Sequence, residues 1–422
     1  APSEDTCLQR VCINFKINLA IERALLGVCK ISDPGAVGAF DPAEFTEEKV
    51  SEIRRFVGDG RAAIATSGGV DSTVCAALAH RALGEKLVCF FLDTGFMREG
   101  EVEEVKGILT SLGLPLRVLS VSGRFMGALK GKSDAEAKRI AFRQTFYTVL
   151  GEAARAEGCD VLIQGTIAPD WIETAGGIKT QHNVLEQLGV DTKSAFGFRL
   201  LEPLLDLYKD QVRRLAVHLG VRLDASQRQP FPGPGLMVRC IGEVTEEKMR
   251  VLRRATAVVE EELSKMDPPP KQYFAAVTED DRREADARMA KAAVGPNGRA
   301  WYLGARATGV KGDERAYGRM VVVEPGEQLG PADLLGVVEK VIHEDWSVVR
   351  VLLKVEGRNE EAGGYAVILR AVETRDFMTV KPTPVPRETL KRIASRVMEE
   401  DPRVGLVCYD LTSKPPATVE FE

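Results

Sequence analysis

Residues 66–73 read TSGGVDST. Two glycines, a carboxylate and several hydroxyls are concentrated between an apolar run, RAAIAT, and an apolar helical pattern, STVCAALAHRAL. A strand that ends in small residues and opens a helix presents backbone N–H groups to an anion, and the helix dipole adds partial positive charge. Gly68 and Gly69 let the backbone approach a phosphate with no Cβ in the way. Ser67, Ser72 and Thr73 add hydroxyl donors. The stretch is not G-x-x-x-x-G-K-[ST], and no lysine follows its glycines, so it suits γ-phosphoryl transfer less well. Asp71 sits in the loop instead. A carboxylate beside phosphates makes electrostatic sense with a magnesium ion between them. For the turn taken alone, a Gly-rich corner with Asp71 as a capping residue is the competing reading.

The elements around this turn alternate. KLVCFFL is a second apolar run and ends in DTG. EVEEVKGILTSLG is helical, LPLRVLSV is a third strand, DAEAKRIAFRQTFYTVLGEAARAEG is a long amphipathic helix, and DVLIQ is a fourth strand ending in GT. Strands alternating with helices predict a parallel sheet covered on both faces. Ligands of such sheets lie beyond the carboxyl ends of the strands. The turn at 66–73, Asp93 and Gly165 all fall at such ends.

Upstream, FTEEKVSEIRRFVG predicts an amphipathic helix with Thr46 as its N-cap. Residues 1–40 are an N-terminal extension without an assigned role. Downstream, VTEEKMRVLRRATAVVEEEL predicts a helix starting at Thr245. Residues 365–422 alternate short strands with one helix at 387–400, as a small α+β domain does.

Composition narrows the class. The chain has 422 residues, enough for two or three domains, and is 44% hydrophobic and 28% charged with a formal charge of −5. That balance gives no global field for nucleic acid. No apolar run approaches the roughly 20 residues of a membrane span, and APSEDTCLQR does not open like a signal peptide. The eight cysteines show no C-x-x-C spacing and histidines number four, so a zinc or iron–sulfur site is poorly supported. The expectation is buried free thiols in a reducing cytoplasm.

SGGVDS after the first strand resembles the signature of the N-type PP-loop ATP pyrophosphatases, which cleave ATP between the α- and β-phosphates and adenylate an oxygen of their substrate. LIQGTIAPDWIET, IKTQHNV, RLLEPLLDLYKDQVRRLA, RQPFPGPGLMVRCIGEVT, ATGVKGDERAYG, RAVETRDFMT and CYDLTSKPPATVEFE follow in order. Together they resemble the synthetase half of GMP synthase, in the archaeal type where this half is a separate subunit. The resemblance covers about 41–278, 305–319 and 365–422. It implies an adenine-nucleotide α-hydrolase-like α/β domain at 41–238 and a smaller α+β domain at 239–422 that binds XMP and forms a homodimer.

The resemblance also implies roles. Ser67, Gly68, Gly69, Val70, Asp71, Ser72 and Thr73 would hold the ATP phosphates, with magnesium at Asp71. Leu92 and Asp93 would lie by the adenosine, and Gly165 would admit the nucleotide at the fourth strand end. Asp170 and Glu173 would complete the ATP and metal surroundings, and Lys179 would close over ATP from a mobile lid. Arg124, Pro230, Phe231, Lys414, Thr418 and Glu420 would contact XMP. The implied reaction is ATP-dependent amination of XMP to GMP through adenyl-XMP. No segment resembles a class I glutamine amidotransferase, so ammonia would come from a separate glutaminase subunit.

Three departures stand out. The lid carries Thr180 and Gln181 where the family usually has serine and histidine. Segments 279–304 and 320–364 look like insertions, and residues 1–40 have no counterpart. An ATP pyrophosphatase with another acceptor, or a catalytically silent nucleotide-binding partner, are the alternatives these departures leave open.

Overall fold

The computed structural model describes residues 40–168, 197–221, 229, 231–294, 298–312, 314–326, 329–358, 363–374 and 379–422. The chain divides into two compact units, Ala1–Phe45 and Thr46–Glu422. The helix expected to begin at Thr46 begins a turn earlier, as α1 (Pro42–Val57), and Thr46 is buried within it. Asp41 explains the shift: its carboxylate accepts from the Ala43 N–H at 2.8 Å, and Pro42 suits a first helical position.

The first sheet of the larger unit has five parallel strands: β1 (Ala62–Ala65), β2 (Leu87–Asp93), β3 (Leu116–Ser120), β4 (Val161–Ile163) and β5 (Arg199–Leu201). Their order is β3-β2-β1-β4-β5. β1 and β2 are buried almost throughout, as the continuous apolar runs required. Intervening helices are α2 (Val70–Leu83), α3 (Glu101–Ser111), α4 (Ser122–Leu129) and α5 (Ala135–Ala156), followed by α6 (Lys209–His218). Asp134 caps α5 by accepting from the Ala137 N–H at 2.8 Å. The chain leaves β1 for β2 on one side, and β4 lies on the other. The switch point of the sheet is therefore between β1 and β4, where a crevice opens beyond the strand ends.

The second sheet has eight strands and is mixed. After α7 (Glu246–Leu263), capped by Thr245, come β6 (Gln272–Glu279), β7 (Arg283–Glu284), α8 (Ala287–Val294), β8 (Arg299–Lys311), β9 (Glu314–Glu324), α9 (Pro331–Glu344), β10 (Val348–Gly357), β11 (Tyr365–Glu373), β12 (Lys381–Pro382), α10 (Arg387–Glu400) and β13 (Val404–Asp410). The order is β12-β11-β13-β10-β9-β8-β7, with β6 also paired to β11. The segments expected as insertions supply β7, α8, α9, β10 and parts of β8 and β9. β10 lies between β9 and β13, with Val348, Val349, Val351 and Leu352 at 0–1% exposure, so this stretch is interior to the sheet.

Cys75, Cys89, Cys159, Cys240 and Cys408 are buried free thiols, and burial pushes each thiol up. Cys7, Cys12 and Cys29 lie outside the described residues.

Candidate active site

The turn between β1 and α2 is held by its own hydroxyls. Ser67 and Ser72 Oγ atoms are 3.1 Å apart, the Ser67 N–H donates to Ser72 Oγ at 3.2 Å, and Ser72 Oγ donates to the Gly69 carbonyl at 3.0 Å. Gly68 sits at φ +76°, and a Cβ there would lie 2.5 Å from Val105 Cγ2. Both facts demand glycine. Gly69 precedes the first turn of α2 and has no side chain to occupy the helix N-terminus. No side chain caps the first-turn N–H groups, and Gly69, Asp71 and Ser72 of this end line the crevice, which suits an anion site.

A cavity of about 330 Å³ opens beside this turn. Its volume falls at the small end of the roughly 300–1,000 Å³ common for ligand pockets. Ser67, Gly69, Asp71, Ser72, Leu92 and Gly165 line it. These predicted residues, from three strand ends, are brought together. Phe91, Phe142, Phe146, Tyr147 and Leu162 form an apolar wall suited to a flat aromatic base. The polar floor is continuous: Tyr147 Oη donates to Gln164 Oε1 at 3.4 Å, Gln164 Nε2 to Thr166 Oγ1 at 3.0 Å, and Thr166 Oγ1 to Glu202.

Gly165 has a second reason to be glycine. A Cβ there would stand 3.0 Å from the Asp71 carbonyl oxygen and 3.2 Å from Cys75 Cβ. The β4 end packs directly on the first turn of α2, so Gly165 fixes the phosphate turn as well as leaving room beside it.

Asp71 Oδ2 meets Lys209 Nζ at 2.6 Å. Asp71 Oδ1 is buried and has no hydrogen-bond partner among the described residues. An ionised oxygen in that state fits a cation ligand. Asp93, by contrast, uses Oδ1 to accept from the Gly95 N–H at 3.0 Å, shaping the loop after β2. Thr73 is fully buried and Val70 nearly so, behind the turn.

Arg124 is not brought to the cavity. It lies on α4, exposed, with both guanidinium arms on Glu152. Phe231 is half-buried and lies between two guanidiniums, Arg98 at 4.5 Å and Arg239 at 5.5 Å from its centroid. Two residues on, Gly233 and Pro234 line the cavity.

Lys414, Thr418 and Glu420 belong to a segment stitched into the second sheet. Lys414 exchanges backbone hydrogen bonds with Val380, 2.9 and 3.2 Å. Thr418 Oγ1 accepts from Arg350 at 3.0 Å and donates to the Thr308 carbonyl at 3.0 Å. Arg239 holds Glu420 at both oxygens. Glu422 pairs with Lys138, which is fully buried on α5 and also donates to the Cys240 and Gly242 carbonyls at 2.8 and 2.7 Å. Beneath lies Asp410 between Arg350 and Arg370. Asp170, Glu173, Lys179, Thr180, Gln181 and Pro230 lie outside the described residues.

Sequence reasoning missed several groups. Arg139 and Arg143, one helical turn apart on α5, both line the cavity; their i,i+4 spacing was the available signal. Arg315 at the start of β9 sits close enough to Arg139 that burial and then the Arg139 charge hold its guanidinium below the usual range. Arg139 also faces Glu136 at 3.6 Å, so of these guanidiniums the two that line the cavity are those of Arg139 and Arg143. Lys209 carried no signal, because its partner Asp71 is 138 positions away.

Residues 42–229 match the PP-loop domain family, and residues 338–421 match the GMP synthase C terminal domain family. One subunit of the glutamine-hydrolyzing GMP synthase of Sulfurisphaera tokodaii is 44% identical over 384 residues, 91% of this chain and 100% of that protein. The subunit of the same name from Methanocaldococcus jannaschii is 42% identical over 386 residues, again 91% and 100%. The solved NMN synthetase of Francisella tularensis is 19% identical, covering 50% of this chain and 85% of its own, with a TM-score of 0.38.

Proposed function

The chain belongs to the family of these glutamine-hydrolyzing GMP synthase subunits, and on that premise we propose that it aminates XMP to GMP at the expense of ATP. The carrying observation is the cavity at the switch point between β1 and β4, where the phosphate turn, an apolar base wall and the half-satisfied Asp71 carboxylate meet.

In the first step the oxygen at C2 of XMP attacks the α-phosphorus of ATP. The bond to the β-phosphate oxygen breaks, and pyrophosphate leaves with that electron pair. In the second step ammonia adds at C2 and AMP departs, leaving GMP. The turn N–H groups and the Ser67 and Ser72 hydroxyls bind phosphate oxygens, and the aromatic wall excludes water from the base side. Magnesium held at Asp71 would supply neutralisation of the phosphate charge. Lys179 would add a cation from the lid, with Asp170 and Glu173 beside it. Arg139 and Arg143, which line the cavity, would take the second nucleotide's phosphate, with Lys414, Glu420 and Phe231 toward its far side.

A separate glutaminase subunit supplies ammonia from glutamine in this reading, in keeping with the relatives' names, which make each of them one subunit of a glutamine-hydrolyzing enzyme. In this reading the enzyme is a cytoplasmic homodimer joined through its C-terminal domain. Among the described residues no helix is long and apolar enough to cross a membrane.

The test is pyrophosphate release by the purified chain with ATP and a panel of acceptors. Release with XMP and ammonium, and none with free glutamine as the nitrogen source, is expected. Release that depends on another acceptor would overturn the XMP assignment.

A further inference from the structure

We propose that Lys209 is an exchangeable counter-ion: it neutralises Asp71 while the site is empty, gives way to the divalent cation that arrives with ATP, and then binds the departing pyrophosphate. The inference rests on the reading of Asp71 as a cation ligand given above.

The two oxygens of Asp71 are treated differently. Oδ2 is held by Lys209 Nζ at 2.6 Å, whereas Oδ1 is buried with no hydrogen bond among the described residues. The ammonium therefore holds one oxygen of a carboxylate whose other oxygen has no hydrogen bond among the described residues. Lys209 is also placed against its own helix. It is the first residue of α6, where the helix dipole disfavours a cation and favours an acid such as the adjacent Asp210. What holds it there is Asp71. Once a divalent cation takes the carboxylate, that cation and the α6 dipole both push the ammonium away.

Lys209 has somewhere to go. Its side chain is about half exposed, at 48%. A flexible four-carbon stem carries a compact charge that moves without loss of chemistry. The phosphate turn proposed above is the one Asp71 itself belongs to, and pyrophosphate gains negative charge there as it leaves. The exchange needs no covalent change and no other reagent. It keeps one positive charge on Asp71 in the empty site and adds one to the phosphates in the filled site.

The experiment uses the full-length chain, with Lys209→Gln and Lys209→Met as two independent neutral variants and Lys209→Arg as the charge-retaining control. Mn2+ binding is followed by electron paramagnetic resonance, without nucleotide and with the α,β-methylene analogue of ATP. Inhibition by added pyrophosphate is measured separately. Wild-type protein should take up Mn2+ with the analogue and bind it weakly without. Either neutral variant should bind Mn2+ without nucleotide about tenfold more tightly, and its inhibition constant for pyrophosphate should rise by about tenfold, the scale of one charge-assisted contact. Lys209→Arg should stay near wild type in both. Wild-type uptake of Mn2+ together with unchanged Mn2+ affinity in a folded neutral variant would overturn the inference alone. Wild-type protein that takes no Mn2+ even with the analogue would overturn the reading of Asp71 and the inference with it.

Discussion

Arg239 grips both carboxylate oxygens of Glu420, at 2.9 Å from Nε and 3.0 Å from Nη2, while its guanidinium lies 3.9 Å above Phe274 and 5.5 Å from the centroid of Phe231. One side chain thus joins the KPPATVEFE segment to the PFPGPG loop, whose Gly233 and Pro234 reach the cavity.

Loss of Glu420 would leave Arg239, 2% exposed, as a buried charge without its carboxylate. Glu420→Ala should cost about 3 kcal/mol of stability and raise KM for XMP far more than KM for ATP. Lys414→Ala should raise KM for XMP with little change in thermal midpoint. Steady-state kinetics with each substrate varied, beside thermal denaturation, separates the two. An unchanged KM for XMP in both variants would remove this segment from the acceptor site.

Asp71→Asn is nearly isosteric but removes the charge that the buried Oδ1 offers a cation. Pyrophosphate release should fall by at least about a hundredfold, the scale of losing preorganised charge stabilisation. Circular dichroism should be unaltered. Turnover near wild type would show that the carboxylate is not needed.

Gly165→Ala places a methyl 3.0 Å from the Asp71 carbonyl and 3.2 Å from Cys75 Cβ. The nearest atom is backbone at the start of α2, so relief requires the phosphate turn itself to shift. We expect weaker ATP binding by isothermal titration, at a stability loss of roughly 1–3 kcal/mol typical of overpacking. ATP affinity equal to wild type would mean that the turn tolerates the shift.

Asp410 is fully buried between Arg370 and Arg350. Burial opposes its ionisation, but the two guanidiniums outweigh burial and hold its carboxyl below the usual carboxylate range. A depressed folded-state value contributes stability that is present above the unfolded value, about 3.9, and is lost as pH falls through the folded one. Asp410→Asn should therefore be clearly destabilised at pH 7. The gap from wild type should narrow only below about pH 4, where the unfolded carboxylate begins to protonate. Chemical denaturation at pH 3, 4 and 7 measures it, and a gap independent of pH would contradict the ion-triad account.

The sequence by itself determined the local chemistry. TSGGVDST could be read as a phosphate turn because each requirement is met within eight consecutive residues: φ freedom at Gly68, helix N–H groups after Gly69, hydroxyls and one carboxylate. The alternation of apolar runs and helical patterns was equally local, and it placed β1, β2 and β4 with their functional ends. The ordered motifs identified the family for the same reason. Helix α1 slipped by a turn because Thr46 and Asp41 both resemble N-caps, and only the backbone chooses between them.

Tertiary structure decided what depends on distant partners. Lys209 meets Asp71 across 138 positions, and Arg239 meets Glu420 across 181. Periodicity is blind to such pairs. Arg124 reads as a ligand arginine from its motif, yet in the fold Glu152 on the neighbouring helix holds it. Thr418 reads as a free hydroxyl, yet Arg350 and the Thr308 carbonyl occupy it. Segments 279–304 and 320–364 look like additions because their charge and glycine obscure the period of two. Only pairing reveals where they go: the second sets β10 between β9 and β13, and the first supplies β7 at the edge of the sheet beside β8. A strand's place in a sheet is fixed by which chain lies 4.7–4.9 Å away from it, and no stretch of sequence carries that information alone.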